Sequence, residues 1–375
     1  MKFNNTCDET IIREIESLKA FFLNGNSLKN CTLQNIDFSQ SVFDWDKVEI
    51  SNTTFLGCKM DVATQIKLIE KSAIVIPQPK NLPYNPFRAE LYNWEEMLKE
   101  NGNGQSIDLD IYEHFSCSKF NPSINEALWQ RIHDHAMDDG LRDLIQTDAK
   151  GVHSKKIVGF MGGHSVLRTD PFYKIVARTA QLLSSNGYFI ASGGGPGIME
   201  ACNLGAYFGA HNSEDLEDAL ITISKAPHYS DKGFTELAVK VLKQYPNGNG
   251  SIAIPTWFYG HEPSNVFATH IAKYFSNSIR EDTLLAICSH GIVFAPGSAG
   301  TTQEIFMDAA QNHYGTFNFY SPMVFLGTER YTKQTKIYDL LLELAEGRTY
   351  KKFIHLTDEP KEVFDFIERN PPQEV

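Results

Sequence analysis

Short apolar runs that alternate with helical segments constrain the fold of this chain more than any other feature. Between Lys155 and Leu326, six such runs are separated from one another by stretches with helical periodicity. This rhythm predicts an α/β fold with a doubly wound, mainly parallel sheet covered by helices on both faces. The predicted strands cover residues 157–161, 188–191, 220–223, 252–255, 292–295 and 323–326.

Glycine-rich turns follow three of these predicted strands. They cover residues 162–165, 193–197 and 296–301. The carboxyl ends of parallel strands lie at one edge of a sheet, and folds of this kind bind their ligands there. We therefore expect the three turns to form one site.

The strongest candidate for a binding element is the stretch 290–314. An apolar run is broken by small residues before a helix begins near Thr301. The unpaired N–H groups and the positive dipole end of such a helix form a seat for an anion, and phosphate is the obvious one. Glu304 lies near the first turn, where its carboxylate would face the group that carries the phosphate.

The composition is that of folded, soluble protein and argues against some partners. With 34 basic and 46 acidic residues the net charge is −12, which disfavours nucleic acid and anionic membranes. The six cysteines are scattered without a Cys-x-x-Cys pair, so neither a disulfide framework nor a zinc site is indicated. The chain has no signal-peptide core and no membrane-spanning apolar run, so we expect a cytoplasmic protein.

The first 150 residues have a different texture. After a predicted amphipathic helix over 9–22, apolar residues recur at every fifth position, which resembles a degenerate pentapeptide repeat with these residues pointing into a square coil. A polar loop with chance spacing is the alternative. The residues are Leu28, Leu33, Phe38, Phe43 and Val48. Prolines at positions 77 to 86 indicate a linker, and residues 123–147 have a strong helical pattern.

Two familiar nucleotide-binding fingerprints and a possible metal pair are not supported. A G-x-G-x-x-G match in 193–200 would need glycine at Ile198, and no G-x-x-x-x-G-K-[ST] occurs. His133 and His135 are two residues apart in a predicted helix, which puts them on different faces. We therefore expect ordinary histidines there rather than a metal site.

Two motifs together resemble the Lonely Guy (LOG) family, once mislabelled as lysine decarboxylases. The sequence GGGPGIMEA at 193–201 is similar to that family's G-G-G-x-x-G-x-M, and PGSAGTTQE at 296–304 is similar to its P-G-G-x-G-T-x-x-E. The resemblance covers residues 155–330 and implies a Rossmann-like fold. Ser298 replaces a family glycine, and Glu281 stands where plant-type members usually carry lysine. The larger bacterial nucleotide 5′-monophosphate nucleosidases are therefore the closer comparison.

With the resemblance, the expected organisation has four segments. Residues 1–60 hold the first helix and the repeat, and residues 61–150 form a mostly helical lead-in with the linker. Residues 151–330 form the LOG-like nucleotide-binding domain, and the helices of residues 331–375 pack on it.

The resemblance implies an N-glycosidase that hydrolyses a nucleoside 5′-monophosphate to free base and ribose 5-phosphate, with Arg280 and Glu304 as catalytic residues. Such cleavage places positive charge on the sugar and negative charge on the base, and it needs no metal or cofactor. Backbone N–H groups of Gly300, Thr301 and Thr302 would hold the phosphate. Glu304 would stabilise the ring and orient water. Arg280 would aid the leaving base or anchor the phosphate.

Residues in and near the three turns, together with two residues in the loop after the fourth predicted strand, are expected to line the substrate pocket. Arg168 is expected to touch base or phosphate, His261 and Glu262 to shape the base pocket, and Glu200 to be either a pocket carboxylate or a helix-start charge. The full set of expected substrate-binding residues is Gly163, Ser165, Gly194, Gly195, Gly197, Glu200, Pro296, Gly297, Ser298, Gly300, Thr301 and Thr302.

The resemblance also implies a homodimer or a larger homo-oligomer, with Asp308 and Gln311 facing a neighbouring subunit. The alternative function is a non-catalytic nucleotide-binding sensor of the same fold. For the two residues themselves, the alternatives are that Glu304 is a helix-start residue that balances the dipole and that Arg280 forms a surface ion pair with Glu281 or Asp282.

Overall fold

The computed structural model describes residues 9–23, 25–39, 43–102, 104–148 and 151–375. Its contacts group the chain into two compact units. The first unit combines Met1–Glu90 with Ile124–Asp139, and the second combines Leu91–Ser123 with Gly140–Val375. The four segments expected from the sequence remain a prediction about domains.

The first unit contains a small parallel sheet whose strands stack in chain order. Leu28 pairs with Ile50 and Leu33 with Phe55, so neighbouring strands come from positions roughly twenty residues apart, as in a solenoid. The strands are β1 (Thr10–Ile12), β2 (Ser27–Gln34), β3 (Glu49–Leu56) and β4 (Ile74–Ile76). The five-residue spacing predicted the interior correctly: Leu28, Leu33, Phe38 and Val48 are buried, and Phe43 packs against them.

The helix predicted over 9–22 is wrong in its first part. Residues 10–12 form β1, and α1 (Ile15–Phe22) begins only afterwards. The run of Thr10, Ile11 and Ile12 consists of β-branched residues, which favour a strand, and Ile12 is buried in the core of this unit. The helix that follows β3 is α2 (Val62–Glu70), which begins where the Asp61 carboxylate accepts the Thr64 N–H.

Three further helices lie in the chain between β4 and the main sheet: α3 (Trp94–Leu98), α4 (Ile107–Ser116) and α5 (Ile124–Ile145). Residues 124–139 of α5 belong to the first unit. His133 is fully buried in α5, whereas the His135 side chain is 66% exposed. The two histidines therefore lie on different faces of the helix, as their spacing predicted.

The second unit is built on a parallel sheet that has seven strands within the described residues. In spatial order they are β12-β11-β9-β5-β6-β7-β8, and every neighbouring pair is parallel. Two further short strands pair with each other in antiparallel fashion. The strands are β5 (Ile157–Met161), β6 (Phe189–Ser192), β7 (Ser251–Ala253), β8 (His270–Ile271), β9 (Ile292–Phe294), β10 (Phe319–Tyr320), β11 (Met323–Leu326), β12 (Ile354–Thr357) and β13 (Gln373–Glu374).

Helices connect the strands of the main sheet except where a loop joins β7 to β8, and this arrangement confirms the predicted doubly wound, Rossmann-like α/β fold. Among the described residues, no helix combines the length and apolar character needed to cross a membrane. The helices are α6 (Pro171–Ser185), α7 (Ile198–Tyr207), α8 (Ser213–Ile223), α9 (Phe234–Gln244), α10 (Asn277–Ala286), α11 (Ala299–Tyr314), α12 (Ile337–Leu344) and α13 (Pro360–Arg369).

The strand predicted at 220–223 is wrong, because these residues form the last turn of α8. Leu220 and Ile223 are buried while Ile221 is 61% exposed, which is the three-residue spacing of a helix face. Asn212 caps this helix by accepting the Asp215 N–H. A short run such as Leu220-Ile221-Thr222-Ile223, with three apolar residues, fits both a buried strand and the buried side of a helix, so the run alone could not decide.

The order of the strands places the site. From β5 the chain proceeds to β6, β7 and β8 on one side, whereas β9, β11 and β12 lie on the other. The boundary between β5 and β9 is the topological switch point, where doubly wound sheets bind ligands beyond the carboxyl ends of their strands. The turns at 162–165 and 296–301 follow these two strands and therefore lie side by side.

Candidate functional site

The three glycine-rich turns meet at the switch point, as the sequence predicted. The Gly163 N–H donates to the Pro296 carbonyl at 3.0 Å, and the Gly163 carbonyl accepts the Ile198 N–H at 3.1 Å. Gly197 has a φ of 68°, and a β-carbon there would lie 2.4 Å from the Gly163 carbonyl oxygen. Glycine is therefore required at 197 so that the second turn can approach the first.

Two charged side chains lie directly over the turn at 193–197. A β-carbon on Gly193 would lie 2.7 Å from Nη2 of Arg280, and one on Gly195 would lie 2.6 Å from Oε2 of Glu262. Between them, Gly194 has a φ of 77° and donates its N–H to the Ser192 hydroxyl at 3.1 Å. The glycines thus make room for a guanidinium and a carboxylate.

The start of α11 forms an anion seat that is open to solvent. Ser298 is the cap residue, and its carbonyl accepts both the N–H and the hydroxyl of Thr302, each at 3.1 Å. Thr301 is buried with its hydroxyl against Gly297. Gly300 is exposed, and apart from its chain neighbours and the nearby backbone of its own helix, no atom of the described residues lies within 4 Å of a β-carbon built there. The first N–H groups of the helix and its dipole therefore face accessible space.

Sequence reasoning missed a cation that supports this turn. Nη2 of Arg330 donates to the Gly297 carbonyl at 2.5 Å, and the neighbouring Tyr331 hydroxyl donates to the Ala295 carbonyl at 2.7 Å. Arg330 belongs to no motif. The signal that could have identified it is its position shortly after β11, because β11 is the parallel neighbour of β9 and the two strands end side by side.

Glu304 combines burial with a nearby positive charge. Its side chain is 14% exposed, and its Oε1 lies 3.9 Å from Nη1 of Arg280. Burial raises the pKa of Glu304 to about 7; the positive charge of Arg280 lowers this pKa, and the negative charge of Glu281 raises it. A carboxyl group of this kind exchanges its proton near neutral pH, as an acid or base in catalysis must.

Arg280 is held in place by backbone carbonyls rather than by a surface ion pair. It is 8% exposed, Nε donates to the Ile254 carbonyl at 2.8 Å, and Nη2 lies 3.4 Å from the Gly193 carbonyl oxygen that it faces. The adjacent Glu281 accepts a hydrogen bond from Gln303 at 2.7 Å. The guanidinium is thus fixed between the turn at 193–197 and Glu304.

Arg168 and Glu200 form a buried pair and do not face the substrate pocket. Nε and Nη2 of Arg168 donate to the two carboxylate oxygens of Glu200 at 2.9 and 2.5 Å, and the Tyr173 hydroxyl donates to the same carboxylate at 2.7 Å. Both charged residues are at least 97% buried. In the loop after β5 that also contains Arg168, the predicted substrate-binding residue Ser165 is by contrast exposed. Glu200 therefore stabilises the domain through its contacts with α6 and Arg168.

We expect Tyr173→Phe to lower the free energy of unfolding by about 1.5–3 kcal/mol, because it removes a hydrogen bond to a buried charge. Urea unfolding at neutral pH measures this. Tyr338→Phe is a suitable control, since that ring is only half-buried. Equal stabilities of Tyr173→Phe and the wild type would show that the Arg168 pair alone holds Glu200.

Asp308, which was expected to face a neighbouring subunit, is buried within its own chain. It is 3% exposed, and Oδ1 accepts a hydrogen bond from Asn312 at 3.3 Å. Oδ2 has no hydrogen-bond partner among the described residues. Burial raises the pKa of Asp308 to about 8. A contact with another subunit through this side chain is therefore not available in this conformation.

Fold and site together define a Rossmann-like α/β protein with an exposed helix start, a buried carboxyl group and a fixed guanidinium at the switch point of its sheet. Among the described residues, no group of three or more His, Cys, Asp or Glu side chains is placed to hold a metal ion. The two motifs that resemble the LOG family provide the turns of this site.

Comparison with known proteins finds no matching family model and no matching curated protein. Several solved structures are similar to this chain. One is the Moco carrier protein of Chlamydomonas reinhardtii, which has 16% sequence identity and a TM-score of 0.36, and the match covers 57% of this chain and 96% of that chain. The molybdenum cofactor binding protein of Rippkaea orientalis has 15% identity and a TM-score of 0.37 over 57% and 96%. TM1055 has 15% identity and a TM-score of 0.35 over 57% and 99%. At these values we take the fold class from the sheet topology alone.

Proposed function

We propose that this protein hydrolyses the N-glycosidic bond of a nucleoside 5′-monophosphate and releases free base and ribose 5-phosphate. The observation that carries the proposal is the position of Glu304. Its carboxyl group has a pKa of about 7, lies 3.9 Å from the Arg280 guanidinium, and follows the anion seat by about one helical turn. A nucleotide whose phosphate binds at the helix start would therefore have its ribose near a carboxyl group that reacts at neutral pH.

The phosphate end of the substrate lies at the start of α11. The first turn of this helix is exposed at Gly300, and phosphate is the common anion that such a helix start binds. Arg330 adds positive charge where its guanidinium contacts the Gly297 carbonyl. With the phosphate there, the ribose extends towards Glu304.

In the chemical step, the bond between C1′ and the base nitrogen breaks and its electron pair leaves with the base. The ribose ring gains positive charge, which the ionised Glu304 stabilises. Water adds to C1′ as Glu304 accepts its proton. The departing base carries negative charge towards the Arg280 guanidinium and then takes a proton from solvent. Water and these two side chains supply every group in this step.

The direct test is incubation of the purified protein with a panel of common nucleoside monophosphates, followed by chromatography for free bases and ribose 5-phosphate. Equal amounts of the two products from at least one monophosphate support the proposal. If no base is released from any of them while a monophosphate binds tightly, the protein is instead a nucleotide sensor of the same fold.

A substitution at Gly300 tests the phosphate seat. Gly300→Val fills the open space above the helix start, so we expect KM to rise at least about tenfold, the loss of one charge-assisted contact or more. The protein around position 300 leaves room for the new side chain, so the melting temperature should change little. An unchanged KM would place the phosphate elsewhere.

A further inference from the structure

A loop outside both glycine motifs is tied at its two ends to one buried carboxylate. Asp108, in α4, is 1% exposed. It accepts hydrogen bonds from Nε1 of Trp257 at 2.7 Å and from the hydroxyl of Ser264 at 3.1 Å. Lys273 completes the charge balance, since its Nζ donates to both oxygens of Asp108 at 2.7 and 2.9 Å. Both ends of the loop 257–264 are thus hydrogen-bonded to the same carboxylate, and Nε2 of His261 within the loop lies 3.6 Å from it.

The anchored loop carries Glu262 to the turn at 193–197. Its Oε2 lies 2.6 Å from a β-carbon built on Gly195, so the carboxylate occupies the space that a side chain at position 195 would take. The side chain is half-buried, and it accepts no hydrogen bond from a described residue. An ionised carboxylate offers only acceptors, so a ligand that meets Glu262 must present N–H or O–H groups.

The base of the nucleotide is the part of the substrate that reaches this carboxylate. Arg280 lies over Gly193 and Glu262 over Gly195, and the Cα atoms of these glycines can be at most about 7.6 Å apart. Met199 lies along the same turn, with its Sδ against Gly193 and its Cε against Gly195. A thioether is a favourable neighbour for an aromatic ring. The turn therefore provides a face for a base, with Glu262 at its edge.

The geometry points to guanine as the preferred base, recognised through two N–H groups by Glu262 on the loop that Asp108 anchors. This inference rests on the proposed function and names the substrate within it. Guanine presents its N1–H beside its 2-amino group, so that both oxygens of a carboxylate can accept. Adenine and cytosine present a single amino group next to a ring nitrogen acceptor, and hypoxanthine lacks the 2-amino group.

The decisive comparison is between GMP and IMP, which differ only in the 2-amino group. We expect the wild type to release guanine with a kcat/KM about ten- to a hundredfold above that for hypoxanthine release, the usual discrimination of a paired contact to a base. Glu262→Gln should bring this ratio close to one. Glu236→Gln makes the same change of charge at an exposed position of α9 and should keep the wild-type ratio.

Asp108 acts as a positioning residue, and Ser264→Ala tests this role. The variant removes the hydrogen bond of Ser264 to Asp108, while it leaves the bond from Trp257 and the Asp108–Lys273 pair intact. We expect it to lower the GMP to IMP ratio severalfold with little change of the melting temperature. A merely structural role would lower stability and leave the ratio unchanged.

The possible failures are distinguishable. A wild-type ratio near one, or a ratio that Glu262→Gln leaves unchanged, overturns the inference while the proposed function stands. If the wild type releases no base at all, the proposed function fails, and calorimetric titration with GMP and IMP then decides the inference. A preference for GMP that is lost in Glu262→Gln supports it, and equal binding of the two nucleotides overturns it.

Discussion

Glu304→Gln is expected to lower the rate of base release at least about a hundredfold, the lower end of the range for an essential acid or base. Glutamine keeps the size of the side chain but can neither balance the positive ribose nor accept a proton from water. Chromatographic assay of free base under saturating substrate measures the change. The exposed Glu236→Gln is the matched control and should keep full activity.

The pH dependence of the wild type provides a second readout of the same group. Because the ionised form of Glu304 is the active one and its pKa is about 7, kcat/KM should rise with pH up to about 7 and level off above it. A profile that is flat between pH 5.5 and 8.5, or a Glu304→Gln variant that keeps a tenth of the wild-type rate, would contradict the assigned role. Melting temperatures of both proteins exclude unfolding as the cause.

Asp308→Asn is expected to remove a strong dependence of stability on pH. The pKa of Asp308 is raised by burial from the ordinary 3.8 to about 8, so between these values the folded state holds a proton that the unfolded state releases. The stabilisation is fully present below pH 3.8 and is lost as the pH rises through about 8. Within that window the group contributes a slope of about −1.4 kcal/mol per pH unit to the free energy of unfolding.

Urea unfolding at pH 5, 6, 7 and 8 measures this slope for the wild type and for Asp308→Asn. Asparagine does not titrate. From pH 5 to pH 8 the free energy of unfolding of the variant should therefore rise relative to that of the wild type by an amount of the order of a few kcal/mol. Glu304 and the buried histidines also titrate, but their contributions cancel when the two proteins are compared at each pH. Parallel curves for the two proteins would show that Asp308 is ionised in the folded state.

The strands predicted from sequence illustrate what apolar runs can and cannot decide. The runs at 157–161 and 323–326 coincide with β5 and β11, because strands buried on both faces are continuously apolar. The run at 220–223 is also mostly apolar, but it forms the last turn of α8, where Leu220 and Ile223 lie on the buried side. Strand β8 is only two residues long, His270 and Ile271, so it left no pattern to recognise.

The candidate site was predictable where backbone chemistry determines it. The turns at 193–197 and 296–301 require glycine at Gly197 and Gly297, where a β-carbon would collide with neighbouring atoms, and glycine-rich turns of this kind are visible in one sequence. Side chains that meet across the fold left no such mark: Arg330 reaches Gly297 from the end of another strand, and Asp108 reaches Trp257 from a helix well upstream. Glu200 could not be assigned from sequence, because only its contact with Arg168 shows that it belongs to the core.

The sequence by itself determined the α/β class, the glycine turns at the edge of the sheet and the position of Glu304 at the start of α11. These properties depend on periodicity and local backbone geometry, which neighbouring residues specify. The tertiary structure decided the pKa of Glu304, the burial of Asp308 and the placement of Glu262 over Gly195. These depend on the exclusion of water and on charges brought together from distant parts of the chain, which only the folded arrangement defines.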